Sequence, residues 1–490
     1  MPELPIRPGP WLFGALAALL CGVVALLMTG LEGAAGLGLP VLLAVLALFV
    51  WLRQPRRALI AALFFLAPID VSKAVVPPLD QFYSPGLYMT PAHLVTLLLL
   101  ALVLGRRLLW ERRLGAVDGL DLLVALFLGA IWWRAATSPQ GTLALATAAA
   151  YSLAVLACYA ASGAIRDMAD LRLALAAAAV SLLLEGGHVA AQMLTGSLLP
   201  LPGSKNQFPA ALLSFGSAGS AMRPIGFQSH PNSLAHHMVV MFPPALALVM
   251  AGRRWLSGRV WGLSLAVVVV ALLALLLTLS RGGWAAGMVA VAVLVMVLRG
   301  QGMIPGRRLA GWALAAGVAG ALVVAAYPQL VLRLTEPDSR STESRLLLTD
   351  QALAIIRANP WTGVGYGAYN RAAFEYVGPA FATVSEDYQQ QLRKLVVHNH
   401  YLLLAAELGL PAMGLFMLLL WRFIRLPWPL RRFDDPATLA LAVGLSASLA
   451  GQALFLSSDN YYVDLRLFLL WLTVGVLHAT VRLGTSKAAA

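Results

Sequence analysis

The chain has 490 residues, 60% of them hydrophobic and only 12% charged, with a formal net charge of +13. Such a composition excludes a string of soluble domains, because lipid rather than water suits a surface this apolar. It also excludes a membrane β-barrel, whose short alternating strands would not give unbroken Leu/Ala/Val runs.

Apolar runs near the roughly 20 residues that cross a bilayer as helix recur along the chain. Taken in order, spanning helices are expected near 11–30, 36–52, 57–71, 91–105, 119–136, 142–163, 171–194, 232–250, 260–279, 283–299, 309–326, 399–421, 437–456 and 463–482. The fold class is therefore all-α, a polytopic membrane protein with about 14 transmembrane helices, in a range of 12 to 14. The first run follows Arg7 and imitates a signal peptide, but with many further spans behind it the reading is an uncleaved helix. Cys21 and Cys158 both fall inside spans and read as packing residues; no zinc-type or redox spacing exists.

Charge then orients the chain. With the N-terminus inside, alternate loops collect Arg53, Arg56, Arg57, then Arg106, Arg107, Arg112, Arg113, then Arg166 and Arg172. Arg253, Arg254, Arg259, Arg299, Arg307, Arg308, Arg422, Arg425, Arg431, Arg432, Arg482 and Lys487 continue the series. The positive-inside rule accounts for this excess, so the net charge calls for no nucleic acid, and both termini are expected in the cytoplasm. Three long loops face outward, at 72–90, 195–231 and 327–398, and long loops in a compact protein carry function. In the last, Ser341 or Thr342 is placed to cap a helix through Leu346, Leu353 and Ile356, and Asn359-Pro360 ends it. Gly363-Val-Gly-Tyr-Gly367 follows no strand, so it is a set of turns rather than a dinucleotide loop. Two regions result: membrane helices over 1–200, and 201–490 containing the periplasmic loop 327–398.

Basic residues on the outer side oppose the charge bias and need another reason to be there. Four groups stand out: Arg223 in Arg-Pro-Ile-Gly-Phe-Gln-Ser-His-Pro-Asn232, Arg281 in Ser280-Arg-Gly-Gly-Trp284, Arg345, and His398-Asn-His400. Arginine's planar fork matches phosphate oxygens, so three arginines and a histidine on one face suggest a phosphate site. Each also has a plainer reading. Arg223 could snorkel to headgroups, Arg281 pair with Asp459 or Asp464, Arg345 pair with Glu343 or Asp350, and the two histidines sit at the interface without chemistry. Glu185 and His188, one turn apart in a span, fit a proton relay less well than an interhelical hydrogen-bonded pair, and His236 and His237 are similarly open. No metal-ligand spacing is present.

These segments resemble the O-antigen ligase and Wzy-type polymerase superfamily. The likeness lies in Arg223-Pro-Ile-Gly-Phe with His230-Pro-Asn232, Ser280-Arg-Gly-Gly283, Arg345 followed by Asn359-Pro-Trp-Thr-Gly-Val-Gly-Tyr-Gly367, and His398-Asn-His-Tyr-Leu402 with Glu407-Leu-Gly-Leu-Pro411. The resemblance implies a GT-C-like membrane enzyme of the bacterial inner membrane, its active site facing the periplasm. It implies glycosyl transfer, without metal or cofactor, from an undecaprenyl-diphosphate-linked glycan to a glycan or lipid A core acceptor in lipopolysaccharide or exopolysaccharide assembly. The bilayer and other polysaccharide-assembly proteins are the implied partners. On this likeness Arg223, Arg281 and Arg345 engage the diphosphate and His398 is catalytic together with Arg281. His230, Asn232, Asn399 and His400 are accessory candidates. The alternative function is a polyprenyl-linked glycan flippase or another polytopic transporter, which requires polar groups at mid-membrane in broken helices.

Overall fold

A computed structural model of the chain describes residues 54–485, except 77–85, 112–117, 202–210, 215–218, 336–338, 429, 431–432 and 462–463. The spans expected at 11–30 and 36–52, with Cys21, lie outside the described residues. The protein is an all-α polytopic membrane protein: among the described residues, ten helices are long and apolar enough to cross a bilayer.

In chain order the helices are α1 (Pro55–Leu66), α2 (Pro91–Arg106), α3 (Gly119–Ala136), α4 (Thr142–Ala164) and α5 (Met168–Thr195). After an irregular stretch come α6 (Pro231–Ala251), α7 (Gly258–Leu277), α8 (Arg281–Gly300) and α9 (Gly306–Ala326). The large loop holds α10 (Gln329–Thr335), α11 (Ser339–Ala358) and α12 (Glu386–Arg393), and α13 (His400–Leu408), α14 (Leu410–Ile424), α15 (Pro436–Phe455) and α16 (Leu465–Thr485) complete the bundle. Their starts are written locally. Asp118 accepts from the backbone N–H groups of Leu120 and Asp121 at α3, Asp167 from Asp170 at α5, and Asp435 from Ala437 and Thr438 at α15. Each satisfies amides that a helix N-terminus otherwise leaves open. Proline opens α1, α2, α6 and α15, where its missing N–H costs nothing.

Two expected spans differ. The 57–71 span is the shorter α1, which stops ahead of Pro68. The single helix expected over 399–421 is two helices, because Gly409 sits at φ +88° and breaks the α-helical path. Two short antiparallel hairpins, Lys73–Val76 with Leu87–Met89 and Leu212–Ser214 with Ser220–Met222, shape the first two long loops.

The centre of the bundle is α6, held between α7, α8 and α15. Small residues set the close approach: a Cβ on Gly444 of α15 would lie 2.6 Å from the Pro244 Cα, and one on Gly451 would lie 2.7 Å from the Ala286 carbonyl oxygen. Cys158 is a buried free thiol against Gly475 of α16, the packing role expected of it. One apolar core runs from Leu59 to Ala479. At one end of the bundle Arg56 and Arg57 bind Asp170, and Arg482 donates to the carbonyls ending α4, so part of the arginine-rich set ties helix ends together. The long loops gather at the opposite end. There α11 packs Leu348, Ala352 and Ile355 against Phe381, Val396 and Leu403, giving the large loop a core of its own. The helix starts at Ser339, ahead of the expected cap, and stops at Asn359 as expected.

Candidate active site

The site is built around the turn between α15 and α16. Asp459, on that turn and 5% exposed, accepts from Arg466 Nη1 at 2.7 Å and from Asn232 Nδ2 at 3.0 Å. Asn232 Oδ1 in turn accepts from Arg223 Nη2 at 2.9 Å, so one chain of polar contacts joins the last helix, the start of α6 and the loop before it. His230 caps α6, its Nδ1 accepting from the Asn232 backbone N–H at 2.9 Å. Arg466 also binds Asp464 and lies over the Tyr461 ring.

Arg223 reaches further. Its Nε donates to the Thr278 carbonyl at 2.6 Å, and Arg333 of α10 donates through Nε to the next carbonyl, Leu279, at 3.0 Å. Two buried guanidinium groups thus cover adjacent carbonyls at the end of α7. Leu279 is buried with φ +51°, an uncommon conformation for a non-glycine residue. That bend lets Ser280 cap α8 through Gly283, leaving Arg281 as its exposed first residue. A helix N-terminus with open N–H groups beside arginines is suited to an anion.

His398 and His400 hang on the same turn. The His400 backbone N–H donates to the Leu456 carbonyl at 2.8 Å, Tyr461 N–H donates to His400 Nδ1 at 3.4 Å, and Asn460 Nδ2 to the Val397 carbonyl at 3.4 Å. His400 is buried against Phe416, whereas His398 is half-buried with its Nδ1 unengaged by any described residue. Asn399 caps α13, accepting from the Leu402 N–H at 3.1 Å.

Burial pushes the His398 imidazole below its ordinary value; Asp459 opposes this, while Arg345 and Arg466 reinforce it. Arg345, exposed on α11, therefore lies within electrostatic reach of His398. The same balance, burial first, lowers His230 to about 3. Burial alone would raise Asp459, but Arg466 foremost, then His398, His230 and Asn232, hold it below the usual carboxylate range. The site thus combines a fixed carboxylate, a cluster of guanidinium groups and two imidazoles that favour the neutral form.

The residues matched by the O-antigen ligase family model are 266–417. The match covers about a third of the chain, and over that span the chain is similar to O-antigen ligases. No curated protein matches the chain. The matched span holds Arg281, Arg333, Arg345, His398 and His400, while Arg223, His230, Asn232, Asp459 and Arg466 lie outside it and are brought to it by folding. Together with the ten helices long enough to cross a bilayer, the match supports a membrane enzyme of polysaccharide assembly.

The plainer pairings fare differently. Arg466, not Arg281, takes Asp459 and Asp464. Asp350 Oδ2 accepts from the Ala380 and Phe381 backbone N–H groups. Glu185 does not relay to His188: it pairs with His237 Nδ1 across to α6 at 2.6 Å and accepts from the Phe227 N–H at 3.1 Å. With Gln192 Oε1, which accepts from the Ile225 and Gly226 N–H groups, Glu185 fixes the segment that presents Arg223 and His230. The Gly363–Gly367 stretch is structural: Val364 and Gly365 donate to the Ala406 and Glu407 carbonyls, and a Cβ on Gly363 would overlap the Glu407 backbone. Sequence reasoning missed Arg466 and Arg333. Both are legible as basic residues on the side where the charge bias leads one to expect few, the signal that singled out the other arginines.

Proposed function

We propose that this enzyme is a glycosyltransferase that moves a glycan from an undecaprenyl-diphosphate-linked donor to an acceptor sugar at the periplasmic face of the bacterial inner membrane. The observation that carries the reading is the gathering of Arg223, Arg281, Arg345 and a neutral-leaning His398 around the end of α7, the start of α8 and the 456–461 turn. Breaking the bond from the anomeric carbon to the phosphate oxygen leaves negative charge on the departing diphosphate. Arg281 and the open N–H groups of α8 stabilise that charge, together with Arg345 and Arg223; such help is strongest where the charge develops. His398, favouring the neutral form, takes the proton from the attacking acceptor hydroxyl, and direct attack inverts the anomeric centre. His230, Asn232, Asn399 and His400 position these groups through the contacts described above. No step in this scheme calls for a metal.

Against the transporter reading, Glu185, a mid-span carboxylate among the described residues, is already paired with His237 and with the Phe227 backbone N–H. The test is transfer by the purified full chain from a polyprenyl-diphosphate glycan, with chelator present, to either a lipid A core or a second glycan-lipid. Product on the first acceptor assigns a ligase, and on the second a polymerase. Translocation of the donor across vesicles with no product on either would overturn the reading.

A further inference from the structure

Helices α5 and α7 touch near the loop end and part toward the arginine-rich end. At the contact, a Cβ on Gly186 would overlap the Val270 side chain. Toward the start of α5, roughly 20 Å along its axis, the two helices enclose an apolar cavity of about 300 Å³ with α6, α15 and α16. Its wall includes Leu175, Ala179, Val240, Val267 and Leu472. The rim residues Ala176, Val260 and Leu263 are exposed, so the cavity opens sideways between α5 and α7, toward the lipid that a membrane-spanning chain must face. His237, held by Glu185, lies at the deep end.

The mouth is cationic. Arg172 lines it and is exposed. Asp167 and Asp170 at the start of α5 are neutralised by Arg56 and Arg57 of α1. Across the opening, Arg259 precedes Val260, and the turn before it carries exposed Arg253, Arg254 and Trp255, an arrangement typical of a headgroup interface. The lining from α6, α15 and α16 contributes no Arg, Lys, Asp or Glu side chain.

We propose that this cavity holds one acyl chain of an anionic phospholipid whose phosphate rests on Arg172 and the Arg253–Arg259 turn. The volume is at the low end for small-molecule pockets and its wall is almost wholly apolar, which suits a chain rather than a head group. A prenyl donor does not explain the mouth, because its diphosphate belongs with the arginines at the opposite end of the bundle. The choice of a phospholipid over a prenyl chain rests on that reading of the donor site; the cavity and its cationic mouth do not.

The full chain, reconstituted in phosphatidylcholine vesicles, is photolabelled with a trace of phosphatidylglycerol carrying a diazirine on one acyl chain, and in parallel with the matching phosphatidylcholine probe. Phosphatidylglycerol should label peptides 172–179 and 260–267 preferentially, and Arg172→Glu should reduce that preference by roughly fivefold or more. Ala179→Trp, which fills the cavity, should remove labelling there while leaving the lipid-facing Leu314 peptide labelled. If Ala179→Trp is not monodisperse, Leu263→Phe at the rim serves instead. Equal labelling by both lipids with no response to Arg172→Glu would overturn the proposal, as would labelling that survives a filled cavity. Displacement of the probe by a polyprenyl phosphate would also overturn it and assign the cavity to a prenyl chain.

Discussion

Replacing His398 and His400 separately, each by alanine, divides chemistry from folding. His398 is half-buried with an unengaged Nδ1 and leans neutral, so its loss removes a general base while costing little packing. Such a loss slows a reaction about 10²- to 10⁴-fold, equivalent to about 2.7–5.5 kcal/mol of barrier. His400 is 2% exposed, packs on Phe416 and Tyr461, and accepts the Tyr461 N–H. Truncating it leaves a void and an unsatisfied donor at the turn that also carries Asp459, worth about 2–5 kcal/mol of stability. The assay compares initial transfer rates of purified variants with thermal unfolding in the same detergent. His398→Ala should unfold like the wild type with little transfer, and His400→Ala should unfold earlier while its folded fraction retains turnover. The acid limb of kcat/KM should fall below pH 6.5, because a base with a lowered pKa loses function only as pH drops through that lowered value. Near-normal transfer by His398→Ala, or full stability with lost transfer in His400→Ala, would refute this division.

Asp459→Asn removes one partner of a buried ion pair, and although Asp464 still holds Arg466, the loss should approach the roughly 3–5 kcal/mol typical of such breaks. Because Asp459 raises the His398 pKa, any transfer retained should show its acid limb moved to lower pH, a shift that a purely structural role would not produce. Arg281→Lys should express and fold normally, since the side chain is exposed, yet lose most transfer because lysine cannot offer two parallel donors to a phosphate; near-normal turnover would end that role. Gly409→Ala should destabilise the 360–410 region by more than about 1 kcal/mol, as φ is +88° and a Cβ would strike the Trp361 carbonyl, with reduced yield of folded protein as the readout. A cysteine at Ser385, with Cys21 and Cys158 replaced, should react with an impermeant reagent on intact cells; labelling only after lysis would place the large loop on the other side.

Much of the architecture is legible in the sequence because lipid imposes one rule on every segment: backbone polar groups must be paired within a helix. Composition and run length therefore place the helices between 91 and 326 to within a few residues. Periodicity does not reveal the break at Gly409, since an apolar run reads alike whether or not one residue takes a left-handed conformation. For the site, the positive-inside bias makes misplaced arginines visible, which is how Arg223, Arg281 and Arg345 stand out. Pairing is decided only by folding. Asp459 lies 227 positions from the asparagine it bonds, and nothing local distinguishes it from Asp464 as a charge hub. Likewise His398 and His400, two residues apart, differ because the 456–461 turn buries one ring against Phe416 and Tyr461 and leaves the other half-buried. Local energies set the helices; long-range contacts, each dependent on the whole bundle, set which polar groups remain available for chemistry.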